Sequence, residues 1–287
     1  MEKTKLPKFK GKPLIEVPKS IPQIGFLEGN FGKAFLEEYN GRVKSDYNDN
    51  SALNVLEYDD NVVKGSNPFA VVLANSILRQ EGLRTAKQVD LEKALKIGWN
   101  LRGTYEDTGL VLKSKEDDYV KNTSLAKNLA EQLKKRGIKF SSENPIMIPL
   151  TEFELEKADN NYGLAFKLRE NAEIYEAPVL SREGKFGSKD IDEKAGLPKK
   201  VYDFGDRTLY VRGSGLSGLG LYRNLGLNSD GGYLDPSSGF GRVVVVSGEA
   251  THANFERYTQ NLKKLRDEKI AEIDKRYKKA KAILRGK

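Results

Sequence analysis

The sequence predicts an α+β protein, with a mainly helical N-terminal part followed by a mainly antiparallel β unit and a long C-terminal helix. Three observations predict this class. Helical periodicity dominates residues 26–137, short apolar runs between glycine-rich turns dominate 138–249, and one amphipathic stripe runs through 250–287. A basic arm rich in lysine and proline, residues 1–25, precedes them. These four ranges are the predicted domain organisation.

The arm is predicted to be extended. Six lysines are interleaved with four prolines between residues 1 and 25. Proline fixes φ and removes a backbone donor, so neither a helix nor a central strand is expected there.

Four helices are predicted in the helical part, over 31–38, 68–81, 85–97 and 115–136. The second has the clearest local signals, because Pro68 occupies a first-turn position and Gly82 follows the last turn. The third begins at Thr85, which forms a capping-box pattern with Gln88.

The β unit is predicted from short apolar runs, such as the four valines within 242–247, which are typical of a strand buried on both faces. Nine glycines within 213–241 indicate tight turns. The C-terminal stripe runs from Phe255 to Leu284 at helical spacing and needs a surface on which to pack, either the body, a second copy or a partner.

Composition excludes several chemistries. The chain has no cysteine and a single histidine, His252. Disulfides, thiolate nucleophiles, iron–sulfur clusters and multi-histidine metal sites are therefore excluded, and any metal would be held by oxygen ligands. We predict no catalytic residue, no metal ligand and no cofactor. The longest apolar runs are far shorter than the roughly 20 residues that span a membrane, and we expect a soluble, cytoplasmic protein without a membrane partner.

Positive charge is concentrated at the two ends. The net charge is +8, with +4 in residues 1–20 and +7 in residues 251–287, which leaves −3 for the rest. Basic ends suit a polyanionic partner, because lysine and arginine release counterions from phosphates without reading sequence. We expect a non-catalytic protein that binds a polyanion, with RNA favoured over DNA. The candidate residues are Lys3, Lys5, Lys8, Lys10, Lys12, Lys275, Arg276, Lys278, Lys279, Lys281 and Arg285.

Three alternatives stay open. The basic ends can serve solubility alone. The chain can be a structural or scaffold protein that associates with itself or with a protein partner through the C-terminal amphipathic helix. It can also be an enzyme with an oxygen-ligated metal, whose carboxylates would be Asp203, Asp206, Asp230 and Asp235, since acids on turns often mark sites.

Weaker motifs are explained more simply by structure. The GxGxxG pattern at 213–218 is not followed by helical periodicity, so tight β turns are favoured over dinucleotide binding. Residues 46–57 match a calcium loop at five positions, but Ser51 replaces its turn glycine, so an ordinary Asn/Asp-rich loop is favoured. The helices over 68–81 and 85–97 favour an αα-hairpin over a DNA-binding helix-turn-helix.

Aromatic residues suggest two further surfaces. Trp99 and Tyr105 flank Arg102 in the sequence, beside Glu106-Asp107. This group could form a small surface site, but we favour the alternative that Trp99 is buried. In the β unit, arginines and aromatic residues alternate and could stack single-stranded bases, although ordinary strand and core residues are favoured. The set comprises Arg207, Arg212, Arg223, Arg242, Tyr202, Phe204, Tyr210, Tyr222, Tyr233 and Phe240.

Overall fold

The computed structural model describes residues 24–247, the strand residues 8–9 and 12–13, and residues 271, 274–278 and 281. The chain divides into two units, Met1–Val246 and Ser247–Lys287. The α-helices are α1 (Gly29–Tyr47), α2 (Pro68–Leu78), α3 (Gln88–Lys96) and α4 (Thr123–Lys135). The strands are β1 (Lys8–Phe9), β2 (Lys12–Pro13), β3 (Ile24–Phe26), β4 (Glu57–Asp59), β5 (Val62–Lys64), β6 (Leu83–Thr85), β7 (Glu106–Leu112), β8 (Ile146–Pro149), β9 (Phe153–Lys157), β10 (Leu164–Leu168), β11 (Tyr175–Glu176), β12 (Gly184–Phe186), β13 (Arg207–Val211), β14 (Leu216–Leu221), β15 (Leu227–Ser229) and β16 (Val244–Ser247). Single turns of 3-10 helix span Arg79–Glu81, Val120–Asn122, Leu150–Glu152 and Pro178–Ser181.

A seven-stranded sheet organises the first unit. Its order is β11-β8-β7-β14-β15-β13-β12, and every neighbouring pair is antiparallel except β13 and β15. A second sheet has the order β3-β16-β6, and β9 pairs with β10 in a hairpin. The main sheet therefore joins strands that lie far apart along the chain.

The main sheet is buried on both faces because alternate residues of its strands point into two different cores. Leu110 and Leu112 of β7 belong to one core, which also contains the apolar faces of α1, α2 and α4. Val111 of the same strand belongs to the other core, under α3. In the predicted 242–247 strand, Val243 and Val245 face the first core whereas Val244 and Val246 face the second. The prediction of a strand buried on both faces is confirmed there.

Local signals set some helix ends and tertiary packing overrides others. Asn67 caps α2 by accepting a hydrogen bond from Ala70 N at 2.7 Å, and Pro68 follows it, as predicted. The predicted stop of the first helix near 40 is wrong, because α1 continues to Tyr47 through an exposed Gly41. Burial of Tyr39 and Val43 outweighs the roughly 1 kcal/mol that glycine costs within a helix.

The α+β class is observed, and the mainly helical region 26–137 also contributes strand β7 to the main sheet, between β8 and β14. One part of the predicted layout is wrong, namely the long C-terminal helix over 250–287. Within that range, helix is described only at Ala271, at 274–278 and at Lys281.

The physical reason for this error lies in packing. An amphipathic stripe indicates that a helix could pack through its apolar face, but not that a surface is present to cover it. Isolated helices are marginally stable in water unless their apolar face is covered. All the described residues of this segment are exposed, including Tyr277 at 62%. A scaffold that associates through one long C-terminal helix is therefore not retained.

Candidate functional sites

The predicted basic ends are described only in part. Lys3, Lys5, Lys10, Lys279, Arg285 and His252 lie outside the described residues. Lys8 and Lys12 lie in an antiparallel hairpin, where Lys8 is opposite Pro13 and Phe9 is opposite Lys12. The predicted extended arm thus contains a short β1–β2 pairing. Lys275, Arg276, Lys278 and Lys281 are helical and exposed.

The four acids proposed for a metal enzyme do not form one site. Asp203 is exposed, and Asp206 accepts hydrogen bonds from the backbone N and the Oγ of Ser188, at 2.9 and 2.5 Å. Asp235 pairs with Lys121 at 2.5 Å, and Asp230 lines a cleft. Within the described residues, no group of three or more acidic or histidine side chains is placed to hold a metal ion. An enzyme built on these four acids is therefore not proposed.

The other sequence motifs are ordinary structure. The GxGxxG stretch leads into strand β14, which pairs with β7, so its glycines serve a turn and a strand. In the calcium-like stretch, Asp46 lies within α1, and Asn50 donates to Tyr162 O at 2.8 Å and accepts from Ala52 N at 2.9 Å. Strand β6 separates α2 from α3, so the predicted αα-hairpin is wrong and the helix-turn-helix outline is absent as well.

The aromatic residues of the β unit are not core residues, which corrects the favoured interpretation. All six are exposed, between 38% for Tyr210 and 75% for Phe204. Tyr202 and Phe204 stack on each other with their ring centroids 5.4 Å apart. The guanidinium of Arg223 lies 3.7 Å from the ring centroid of Phe240.

The arginines of the same set have mainly structural contacts. Arg207 is buried in an ion pair with Glu92, and Arg212 pairs with Asp117 at 2.7 Å. Arg242 donates to the carbonyls of Gly239 and Gly241 at 2.8 and 2.6 Å.

A cleft of about 420 Å³ opens where β7, β14 and the end of β15 meet the loop 230–238. Its side chains include two carboxylates, from Asp107 and Asp230, and three phenol rings, from Tyr105, Tyr222 and Tyr233. We call it the tyrosine cleft. Among the described residues that line it, none is lysine or arginine.

Asp107 is placed in the tyrosine cleft by an irregularity in the main sheet. Asp107 is opposite Gly220, but the next paired positions are Gly109 and Leu219, so Thr108 is an extra residue. Such bulges re-aim side chains and are common beside functional sites. Thr108 contacts Gln88 on the opposite side, with its hydroxyl 3.0 Å from Gln88 Oε1.

Hydrogen bonds fix the carboxylate of Asp107. The hydroxyl of Ser66 donates to Asp107 Oδ2 at 2.5 Å. The Ser66 backbone is fixed in turn, because its N–H donates to Ser237 Oγ at 2.8 Å and its carbonyl accepts from Tyr105 Oη at 3.1 Å. The Tyr105 hydroxyl also accepts from Ser238 N at 3.0 Å. The wall of the cleft and its carboxylate therefore form one rigid network.

Burial changes the acidity of this end of β7. Desolvation raises the pKa of Asp107 to about 6, and the hydrogen bond from Ser66 opposes that rise. Desolvation also raises the pKa of its neighbour Glu106 to about 8, opposed by the hydrogen bond from Thr104. Burial raises the pKa of Tyr105. Asp107 therefore titrates closer to neutrality than an ordinary aspartate.

In the sequence, Glu106-Asp107 stand out only as neighbours of the group formed by Trp99, Arg102 and Tyr105. The structure places Trp99 and Tyr105 in different surroundings. Trp99 is partly buried against Phe26, with ring centroids 5.4 Å apart, as the favoured interpretation predicts. Tyr105 and Asp107 contribute instead to the tyrosine cleft.

Comparisons of the chain with known proteins identify no relative. No protein family, no curated protein and no solved structure matches the chain. Among the described residues, no helix has the length and apolar character to cross a bilayer. Function must therefore be inferred from the residues themselves.

Proposed function

We propose that this protein binds a polyanion through its basic ends and that single-stranded RNA is the favoured partner. The segregation of charge carries the proposal. The ends hold +4 and +7 while the remainder of the chain is slightly acidic. A chain that needed net positive charge only for solubility would have no reason to concentrate it at the two ends.

The described part of the C-terminal segment supports the proposal. Lys275, Lys278 and Lys281 follow one another at intervals of three residues, and each is exposed and helical. Cations at that spacing follow one side of a helix over about two turns, where they can approach successive phosphates.

An exposed ring pair in the β unit favours a single strand over a duplex. Tyr202 and Phe204 are 42% and 75% exposed, and their faces stack with an interplanar angle of 23°. Exposed lysines, Lys185, Lys199 and Lys200, lie near this pair in the chain or across its strand pairing. Bases of single strands stack on such rings, whereas bases of a duplex are not available for stacking.

The test is fluorescence anisotropy with the full chain, using a fluorescein-labelled 20-nucleotide RNA and a duplex DNA at about 50 and 200 mM salt, the range over which phosphate contacts lose affinity steeply. In one variant, glutamine replaces Lys3, Lys5, Lys8, Lys10 and Lys12. In a second, it replaces Lys275, Arg276, Lys278, Lys279, Lys281 and Arg285. The matched control replaces five exposed lysines of the body that form no ion pair with any other described residue, Lys44, Lys93, Lys96, Lys134 and Lys139.

Each end variant is expected to weaken RNA binding and to lower the slope of log K against log salt by about 0.7 for each phosphate that the variant no longer neutralises. The control is expected to retain most of the wild-type slope. A Tyr202→Ala/Phe204→Ala variant is expected to weaken RNA binding without a change of slope, because stacking releases no counterions. Absence of RNA binding at low salt, or an equal weakening in the control and end variants, would overturn the proposal.

A further inference from the structure

The tyrosine cleft is both acidic and aromatic, which is a combination that selects for positive charge. We propose that it binds an organic ammonium group, with Asp107 as the principal counter-charge and the exposed rings of Tyr222 and Tyr233 as its aromatic walls. This site is independent of the polyanion-binding ends, since other residues form it and it offers charge of the opposite sign.

The charge of Asp107 has no counter-ion within the described residues. The nearby cations are engaged elsewhere: Lys121 with Asp235 at 2.5 Å, and Arg212 with Asp117 at 2.7 Å. Ser66 supplies a hydrogen bond but no charge. A partly desolvated carboxylate without a partner is unfavourable, so a bound cation would recover free energy that a neutral ligand cannot.

The carboxylate is accessible because Gly218 has no side chain. A Cβ atom at residue 218 would lie 3.9 Å from Asp107 Oδ1 and 3.5 Å from Pro68 Cγ, which is ordinary contact without a clash. A larger side chain at this position would therefore extend over Asp107 while the backbone keeps its conformation. Within the described part of the chain, Oδ1 accepts no hydrogen bond, so it remains available to a ligand.

The rings provide the second half of the recognition. Tyr222 and Tyr233 are 46% and 66% exposed, which is unusual for such large side chains. Each ring packs against a second tyrosine. The ring centroids of Tyr222 and Tyr105 are 6.0 Å apart, and those of Tyr233 and Tyr119 are 4.6 Å apart. Cations within about 6 Å of a tyrosine ring centroid are attracted by the ring quadrupole, and quaternary ammonium groups are bound in this way.

The coordination number argues for an organic cation instead of a metal. Calcium and magnesium take six or more oxygen ligands. The tyrosine cleft offers two carboxylates, and no group of three metal-ligating side chains occurs among the described residues. The volume of about 420 Å³ is also in the range of small-molecule sites.

The ammonium group can belong to a free small molecule or to a methylated lysine of a peptide, and both share the same chemistry. Isothermal titration calorimetry of the full chain distinguishes them with three probes. Choline represents the free cation, an acetylated and amidated trimethyl-lysine represents the peptide, and 3,3-dimethyl-1-butanol is the neutral isostere of choline. Tighter binding of the trimethyl-lysine probe than of choline would assign the peptide source, and the reverse order would assign the free one.

We expect at least one cationic probe to bind. The affinity of the neutral isostere should be lower than that of this probe by about tenfold or more. Asp107→Asn and Gly218→Val should each reduce affinity by about tenfold or more, through loss of charge and through steric blockage respectively. Asp159→Asn is the matched control and should bind as the wild type does, because Asp159 is exposed and forms no ion pair in the part of the chain that the structure describes. Circular dichroism establishes that each variant is folded, and Tyr222→Leu replaces any variant that is not.

Four outcomes would overturn the inference. The first is no binding of either cationic probe at about 10 mM, and the second is equal binding of choline and its neutral isostere. The third is cation binding that Asp107→Asn and Gly218→Val leave unchanged. The fourth is binding of a disaccharide such as maltose, added as a further probe, in preference to both ammonium probes, which would assign the cleft to a neutral ligand. None of these outcomes affects the RNA-binding test, which depends on other residues.

Discussion

The hydroxyl of Ser66 donates a 2.5 Å hydrogen bond to Asp107, a residue 41 positions further along the chain. This contact joins the N-terminus of α2 to the start of β7. It also stabilises the ionised form of a carboxylate whose protonated form is favoured by burial. The acidity of the tyrosine cleft therefore depends on a neutral residue.

Replacement of Ser66 by alanine should raise the pKa of Asp107 above its value of about 6, because the hydrogen bond to the ionised form is removed. Carboxyl carbon NMR titration of the labelled protein measures that pKa directly. Ser188→Ala is the matched control, since Ser188 donates to the exposed Asp206, far from Asp107 in the chain. It should leave the pKa of Asp107 unchanged and raise that of Asp206 alone. An Asp107 pKa that is unchanged in Ser66→Ala would contradict the assigned role.

The buried carboxyl of Glu106 should make the protein less stable as pH rises. Burial raises the pKa of Glu106 from 4.5 to about 8, and its Oε2 has no hydrogen-bond partner among the described residues. Between these two values the folded chain holds a proton that the unfolded chain has released. The free energy of unfolding should therefore fall by up to about 1.4 kcal/mol per pH unit over that window, and below pH 4.5 the effect is absent.

Urea unfolding between about pH 7 and 8 tests this expectation where Asp107, with a pKa of about 6, is almost fully ionised. Glu106→Gln cannot ionise and should remove most of the slope. Glu131→Gln changes an exposed glutamate of α4 and should keep the wild-type slope. A wild-type protein whose stability does not change across this interval would show that Glu106 is ionised in the folded chain.

The extent to which sequence predicted this molecule depended on whether the deciding signal was local. The start of α2 was predicted correctly because Asn67 and Pro68 act within one turn of the helix. The end of α1 was not, because burial of Tyr39 and Val43 comes from residues distant in sequence. The C-terminal stripe predicted a helix, but periodicity cannot show whether a packing surface exists.

The tyrosine cleft could not be predicted for the same reason. Asp107 owes its position to a bulge opposite β14 and to Ser66, neither of which is adjacent to it in sequence. The one sequence signal was the juxtaposition of Tyr105 with Glu106-Asp107. The exposure of Phe204 and of the other rings in the β unit was also missed, since aromatic residues in strands are more often buried.

The ion pair between Glu92 and Arg207 should be expensive to break from one side. Both side chains are only 4% exposed, and two hydrogen bonds of 2.6 and 2.7 Å join them. Glu92→Gln leaves a buried guanidinium without a counter-charge and should cost about 3–5 kcal/mol of unfolding free energy. The double replacement Glu92→Leu/Arg207→Met should recover much of that loss, because neither charge then remains buried.

Guanidinium chloride is avoided in this measurement because it screens charge, and urea unfolding at pH 7 gives the free energies. Arg42→Gln is the control, because it breaks an exposed pair with Glu38 at 3.0 Å and should cost less than about 1 kcal/mol. Similar destabilisation by Glu92→Gln and Arg42→Gln would show that the buried pair is not required for stability.

Among the glycines that the structure describes, Gly65 should tolerate a side chain least, because it combines a positive φ with backbone contact. Its φ is +104°, and a Cβ atom there would lie 2.0 Å from the carbonyl oxygen of Val55. Gly98 has a similar φ of +91° but faces open space, which makes it a matched control. Gly98→Ala should cost about 1–2 kcal/mol for the left-handed conformation alone. Gly65→Ala should cost more than about 3 kcal/mol, because the backbone must also move. That movement would displace Ser66, so Gly65→Ala should also shift the carboxyl resonance of Asp107, whereas Gly98→Ala should leave this resonance unchanged. Equal destabilisation by the two glycine substitutions would contradict the assigned contact with Val55.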